Sequence, residues 1–295
     1  MEKAAAHRNT GEQSKPTLYV VATPIGNLRD ITLRALDVLK NVAVIAAEDT
    51  RMAARLLQHF GVTGKLLALH EHNERRAIPQ VLALLARGQS VALVSDAGTP
   101  TVSDPGAQLV AAARAAGVRV SPLPGASAAL AALSASGLGA PHFLFYGFLP
   151  SRSGQRRRAL ADLASYPFTL VFFEAPHRIA ESADDMREVL GAERRVVIAR
   201  ELTKVFEQIH DCTLGDLAGW LAADADRQRG EFVLMVDGAA PAAAGAAKAE
   251  AEARRVLEIL LAELPVKQAA ALAAKIASGR RNEFYAIALK LKGDR

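Results

Sequence analysis

The chain has 295 residues, 51% hydrophobic and 23% charged, with a formal net charge of +5. That balance excludes a disordered chain, the length suits two domains better than one, and the mild positive charge permits a polyanionic partner without requiring one. The single cysteine, Cys212, excludes an intrachain disulfide and a thiolate metal cluster and fits a reducing cytoplasm, and no run of about 18 uncharged apolar residues suggests a membrane span.

Residues 1–16 mix charges with small polar residues, lack the apolar core of a secretory signal, and read as a loose tail. From Leu18 one theme repeats: a short apolar run, a turn of Gly, Pro or Asp, then a stretch with apolar residues three and four apart, the pattern of an α/β fold. The first domain, 17–137, has predicted strands at Leu18–Ala22, Ala43–Ala47, Val91–Ser95 and Val118–Leu123. Its predicted helices are one capped by Asp30 that buries Ile31, Ala35, Val38 and Leu39, then Arg51–Phe60 stopped by Gly61, Ile78–Arg87 stopped by Gly88, and Ala107–Ala116. A second α/β domain, 138–238, has strands at His142–Phe148, Thr169–Phe173, Arg195–Arg200 and Phe232–Val236, an arginine-rich stretch Ser151–Arg158, and helices Ile179–Leu190 and Leu214–Leu221. Residues 239–253, mostly alanine with Pro241 and Gly245, read as a linker. The basic remainder, 254–295, spaces Val266–Ala277 and Asn282–Leu291 like a helix-turn-helix, either a nucleic-acid reader or a packing pair.

In open parallel sheets, ligands bind beyond the carboxyl ends of the strands, and three such turns of the first domain hold unusual residues. The first, Thr23-Pro24-Ile25-Gly26-Asn27-Leu28, has a proline and one glycine where a dinucleotide fold needs Gly-x-Gly-x-x-Gly, which argues against an ordinary Rossmann dehydrogenase. The second, Glu48-Asp49-Thr50-Arg51, is either a helix cap or a polar cluster facing substrate. The third, Ser95-Asp96-Ala97-Gly98-Thr99-Pro100 followed by Ser103-Asp104-Pro105-Gly106, is small and turn-rich, so a ligand can approach its backbone, with the Asp96 carboxylate and Thr99 hydroxyl at hand. His70 and His72 flank Glu71 without a third ligand, so no metal is expected, and no serine or cysteine stands in a hydrolase motif. Arg152, Arg156, Arg157 and Arg158 suit phosphate contacts or form a solvated helix face.

These three motifs, with Asp30-Ile31-Thr32, Pro122-Leu123-Pro124-Gly125, Gly147-Phe148-Leu149-Pro150, Glu174-Ala175-Pro176-His177-Arg178 and Arg200-Glu201-Leu202-Thr203-Lys204, resemble the small-subunit ribosomal RNA methyltransferase I family of the tetrapyrrole methylase superfamily. The resemblance spans about Leu18 to Gly238, and the basic tail is similar to the family's C-terminal helix-turn-helix. Ala126-Ser127, where a Pro-Cys or Pro-Ser pair is expected, and Tyr146, where a glutamate is expected, depart from the pattern. The resemblance implies two α/β domains of tetrapyrrole-methylase type with a cofactor cleft between them. It also implies an S-adenosyl-L-methionine-dependent 2′-O-methylation of a cytidine in the decoding region of 16S rRNA, on small ribosomal subunits, by a cytoplasmic homodimer. Cofactor contacts are implied at Pro24, Ile25 and Gly26, at Asp96, Ala97, Gly98 and Thr99, at Ala126 and Ser127, at Phe173, Glu174 and Ala175, and at Arg200, Glu201 and Leu202.

A weakly acidic ribose hydroxyl calls for a base or an alkoxide-stabilising cation, for which Glu48, Asp49 and Lys204 are the candidates. Arg51, Arg152, Arg156, Arg157, Arg158, His177 and Arg178 are the expected RNA contacts. The competing readings are a tetrapyrrole or diphthine-type methyltransferase and a non-catalytic nucleic-acid-binding regulator.

Overall fold

A computed structural model describes residues 15–139, 141–277 and 281–293, so most of the expected tail lies outside the described residues. The chain forms two compact units, one of residues up to Ala135 joined by Ala199–Ile209, the other of Ser136–Ile198 and His210 onward. The segment 199–209, expected in the second domain, therefore belongs with the first.

In chain order the first unit comprises β1 (Thr17–Val21), α1 (Leu33–Asn41), β2 (Val44–Ala47), α2 (Thr50–His59), β3 (Leu66–Ala68), α3 (Glu74–Ala86), β4 (Val91–Val94), α4 (Ala107–Ala115), β5 (Arg119–Leu123) and α5 (Ala128–Ala135). Its sheet runs β3-β2-β4-β1-β5 with every pairing parallel. β2 and β4 are buried along their whole length because helices cover both faces, which is why they read as unbroken apolar runs. Alternate strand residues feed two cores. Leu18, Val44, Ala46, Val91 and Leu93 pack with Val81 and Leu85 of α3 and Leu109 and Ala113 of α4. Val21, Ile45, Ala47, Ala92 and Val94 pack with Ala35 and Leu39 of α1 and Ala53 and Leu57 of α2.

Asp30 does not cap α1: it sits in a short 3-10 turn, and the Thr32 side chain accepts the Ala35 N–H instead. The buried Glu74 carboxylate takes the Leu109 N–H at 3.0 Å, serving the start of α4, whose own N-cap is Gly106 and has no side chain to offer.

The second unit comprises β6 (Phe143–Phe148), α6 (Ser153–Leu163), β7 (Thr169–Glu174), α7 (Ile179–Leu190), β8 (Arg195–Arg200), β9 (Gln208–Thr213), α8 (Leu214–Ala222) and β10 (Phe232–Val236), with sheet order β6-β7-β10-β8-β9. β6 pairs parallel to β7 and β10 antiparallel to it, so this sheet is mixed. Leu170, Phe172, Val196, Ile198, Leu234 and Val236 meet Leu160 and Leu163 of α6, Ile179 and Met186 of α7, and Leu217 of α8. Three helices follow: α9 (Pro241–Glu263), α10 (Val266–Ile276) and α11 (Arg281–Gly293). The expected linker at 239–253 is thus mostly helix, since proline suits a first helical position and alanine is the strongest helix former. Ala253, Val256, Leu257, Ala270, Ala273, Phe284 and Ala288 give these helices a core of their own. Among the described residues no helix is long and apolar enough to cross a membrane.

Candidate functional site

Within the first unit, the turns leaving β1, β2, β4 and β5 and the loop after β8 are tied to one another. Thr23 N–H donates to the Gly98 carbonyl at 2.8 Å and Gly98 N–H returns to Thr23 at 3.0 Å, a two-residue bridge between the first and third motifs. Thr99 Oγ1 donates to the Ala126 carbonyl at 3.1 Å, and Asp49 N–H donates to Asp96 Oδ1 at 3.0 Å. Asn27 N–H donates to Thr203 Oγ1 at 3.0 Å. Gly26 allows that last approach: a Cβ there would stand 2.5 Å from Lys204 Cγ, 2.8 Å from Thr203 Oγ1 and 3.0 Å from the Leu202 carbonyl. Among the described residues, four non-glycine residues carry left-handed backbone, Thr101 (φ 72°), Ser103 (φ 66°), Glu201 (φ 52°) and Thr203 (φ 65°), all in the loops after β4 and β8. Such strain costs about 1–3 kcal/mol per residue and collects at functional sites.

The electrostatics separate the candidate bases. Partial burial, then the neighbouring carboxylates of Asp104, Asp96 and Glu71, push the Glu48 carboxyl above its ordinary value against one backbone N–H, that of Asp96, which pulls it down. Burial and Asp96 likewise raise Asp104, outweighing its hydrogen bond with Ser95. Asp49 is the opposite case. It caps α2 by accepting the Arg51 N–H at 2.8 Å and grips the Arg51 guanidinium at 2.6 Å, and these contacts hold its carboxyl well below the carboxylate range. Lys204 Nζ pairs with Glu201 Oε1 at 2.7 Å, which keeps an ammonium beside the first motif.

Of the other expected site residues, Pro24, Ile25 and Gly98 are buried, Thr99, Ala126 and Ser127 are partly buried, and Gly26, Asp96 and Ala97 face solvent. Arg200, Glu201 and Leu202 lie in the same unit. Phe173, Glu174 and Ala175 lie in the other. There Glu174 is wholly enclosed: its carboxylate accepts from Ala175 N–H at 2.8 Å and from Ser182 Oγ and pairs with Arg178. Arg178 Nη2 donates to the Leu149 carbonyl at 2.6 Å and the Pro150 carbonyl at 3.3 Å. Arg178 is therefore an internal brace joining two motifs, not the RNA contact expected of it.

Arg156 is a second correction. It is 0% exposed, with Nε 2.6 Å from Asp185 Oδ2 and Nη2 3.5 Å from Glu181, because it shares a helix face with Leu160 and Leu163. Arg157 is half-exposed but engaged by Asp185 at 2.6 Å and Glu188 at 2.7 Å. Arg152, Arg158 and His177 are exposed, as is Arg51 beside its Asp49 partner. Sequence reasoning missed Glu74 and Asp185, whose partners lie far along the chain, and Ser182, whose partner Glu174 is eight residues before it across a turn; Asp104 lies inside the third motif, and its role as a second carboxylate shows only in space.

The family described as Tetrapyrrole (Corrin/Porphyrin) Methylases matches residues 17–218, and the RsmI C-terminal HTH domain matches residues 247–292. The ribosomal RNA small subunit methyltransferase I of Pseudomonas aeruginosa is 54% identical over 280 residues, 95% of this chain and 99% of that protein. Its counterpart in Escherichia coli O157:H7 is 50% identical over 284 residues, 96% and 98% of the two chains. Among solved structures, a cobalt precorrin-4 methyltransferase aligns with TM-score 0.57 at 18% identity, covering 77% of this chain and 97% of that one. Uroporphyrin-III C-methyltransferase from Thermus thermophilus, complexed with S-adenosylhomocysteine, aligns with TM-score 0.52 at 21% identity, covering 75% and 97%. The structural likenesses establish the fold alone, whereas identity of about half the residues from end to end fixes the kinship: the chain belongs to the ribosomal RNA small subunit methyltransferase I family, built on the tetrapyrrole methylase fold.

Proposed function

We propose that this chain methylates the 2′-oxygen of a cytidine ribose in the decoding region of small-subunit 16S rRNA, using S-adenosyl-L-methionine, on small subunits in the cytoplasm. The observation that carries the reading is the set of interlocked strand-end turns that surrounds Glu48 with its raised carboxyl. The residues fit the donor chemically. Gly26 and Ala97 present solvent-facing backbone without a bulky side chain, and Asp96 offers a carboxylate of charge opposite to a sulfonium. Pro24–Gly26, Asp96–Thr99, Ala126–Ser127 and Arg200–Leu202, all of the first unit, are the proposed holders. When bound, the sulfonium supplies a methyl group already activated for transfer.

What the chain contributes is orientation, and a base. Holding two reactants in line is worth about 7–11 kcal/mol at best. Glu48, with its carboxyl raised, takes the ribose hydroxyl proton, and the Lys204 ammonium favours the resulting alkoxide. Asp49, tied to Arg51, instead sets the start of α2. Arg51, Arg152, Arg157, Arg158 and His177 face the RNA, joined by the C-terminal helices. A homodimer would cover Phe143, Tyr146 and Phe148, exposed on the edge strand β6.

The test uses small subunits from a strain lacking the gene, incubated with the protein and labelled cofactor, with the product mapped to the nucleotide and atom. Label on one cytidine ribose is expected; label on a base, or none, removes the proposal. Glu48→Gln should lower kcat by about 10²–10⁴ while calorimetry finds cofactor affinity unchanged. A base works when deprotonated, and Glu48 is raised, so wild-type kcat should fall with acidification at a pH above that of an ordinary glutamate. A flat profile removes Glu48 from the role.

A further inference from the structure

The first unit has three aromatic residues besides its histidines, Tyr19, Phe60 and Phe206. The first two are partly buried, whereas Phe206 is 72% exposed and its neighbour Val205 is 92% exposed. The pair forms the tip of the loop between β8 and β9, and that loop is braced on both sides of it. Lys204 N–H donates to the Glu201 carbonyl at 3.0 Å, and Glu207 N–H to the Lys204 carbonyl at 3.1 Å. Thr203 N–H donates to Glu207 Oε2 at 2.6 Å, and Arg200 Nη1 to the Phe206 carbonyl at 3.4 Å. Two left-handed residues, Glu201 and Thr203, lead into the tip, and Thr203 Oγ1 anchors it to Asn27 of the first motif.

A connecting loop needs none of this. Two adjacent apolar side chains held outward on strained, hydrogen-bonded backbone mark a surface made for a partner. The chemistry of that partner follows from the loop's place and from its ring. The tip is hydrogen-bonded into the turn that carries Pro24–Gly26, so whatever meets Phe206 meets it beside the candidate site. Arg29, exposed in the short turn just after Asn27, brings a cation suited to phosphate. RNA is read by splaying bases out of the stack and laying them on aromatic rings, which tolerate any base because every base has a π face.

We propose that Phe206, backed by Val205, stacks on an unstacked base of the RNA, at or next to the nucleotide being methylated, and so positions its ribose. Phe206 is on this account a substrate-positioning residue, and the inference rests on the RNA-methyltransferase reading above.

The experiment compares Phe206→Ala, Phe206→Leu and Phe206→Trp in the full chain, with methyl transfer to unmodified small subunits as readout. Calorimetric titration with S-adenosylmethionine and light scattering accompany each variant. Loss of one stacked ring should lower kcat/KM for subunits by about ten- to a hundredfold in Phe206→Ala. Leucine, apolar without a π face, should fail to restore it, and tryptophan should restore it, with cofactor affinity and oligomeric state unchanged throughout. Full activity of Phe206→Ala overturns the proposal, as does rescue by leucine, which would mean simple packing. A change of oligomeric state overturns it too, because the tip would then be a contact with a second copy. If wild-type protein binds the cofactor but modifies no ribosomal RNA, the functional reading fails and takes this inference with it; if wild type is active and Phe206→Ala equals it, only this inference fails.

Discussion

A cluster of polar side chains centred on Asp185 ties α6 to α7. Asp185 accepts from Arg156 Nε, Arg157 Nε and Ser153 Oγ, and Arg156 reaches on to Glu181 and to the Ser151 carbonyl. Removing one partner of a buried pair costs about 3–5 kcal/mol when the other charge is stranded, and Asp185 would keep Arg157 and Ser153, so the low end applies. Arg156→Ala should therefore lower the urea midpoint by the equivalent of about 3 kcal/mol. Arg152→Ala with Arg158→Ala should leave the midpoint in place and reduce the salt slope of subunit binding by about two; equal midpoints for the two variants would contradict the assignment. The pH dependence has a definite sign. Burial raises the Asp185 carboxyl, but Arg157, Arg156 and Ser153 outweigh it and hold it below its ordinary value. A depressed carboxylate adds stability above its unfolded value and loses it as pH falls through the folded one, so this contribution persists at neutral pH and fades only in acid. The arginine run itself is plain in the sequence. Which arginine turns inward was also within reach, since Arg156 lies four and seven residues before Leu160 and Leu163, on the apolar face. Its partner on α7 was not, because nothing local links residues 156 and 185.

At the scale of elements, tight backbone approaches carry the site. Gly26→Ala would drive a methyl into Lys204, Thr203 and the Leu202 carbonyl, and only part of that can yield, because a backbone oxygen is among the neighbours. Overpacking of this kind costs about 1–3 kcal/mol. Methyl transfer should fall at least tenfold while Gly117→Ala, at a glycine with open space around it, costs only its left-handed backbone strain and leaves turnover intact. Activity retained in Gly26→Ala would show that the first motif and the loop after β8 need not touch. Periodicity made the strands and long helices legible: α7, β8 and β10 have the ends read from sequence. It failed where there was no period to read. β3 is three residues long, α5 is almost all alanine and leucine without a polar face, and β9 is mostly polar. The same limit made the alanine-rich start of α9 look like a linker. The motifs of the first unit were legible because turn chemistry is local; the inward turn of Glu174 and Arg178 was not, since it depends on Ser182 and on the carbonyls of Leu149 and Pro150.

For the whole molecule, the cores show what can be removed. Among the described residues, the three-helix C-terminal core comprises Ala253 and residues after it, and the sheet cores comprise residues up to Val236. A stop after Gly238 should therefore leave the sheet units folded, with the thermal transition and cofactor affinity kept. Affinity for small subunits should fall, with a shallower salt dependence, if the helix-turn-helix touches RNA. Unchanged subunit binding would assign those helices to packing or assembly. Leu272, Ile276, Tyr285 and Leu289 are exposed on α10 and α11, so an apolar partner for that face has a stated place to be sought.

The first unit draws its last segment from Ala199–Ile209, more than sixty residues after Ala135. During translation the ribosome releases the five-stranded parallel sheet long before it makes the strained loop that braces the Gly26 turn. The nascent sheet must wait, its Gly26 turn unsupported, until residues 136–198 of the second unit have been made, so a chain that stops before Ala199 lacks the segment that completes the first unit.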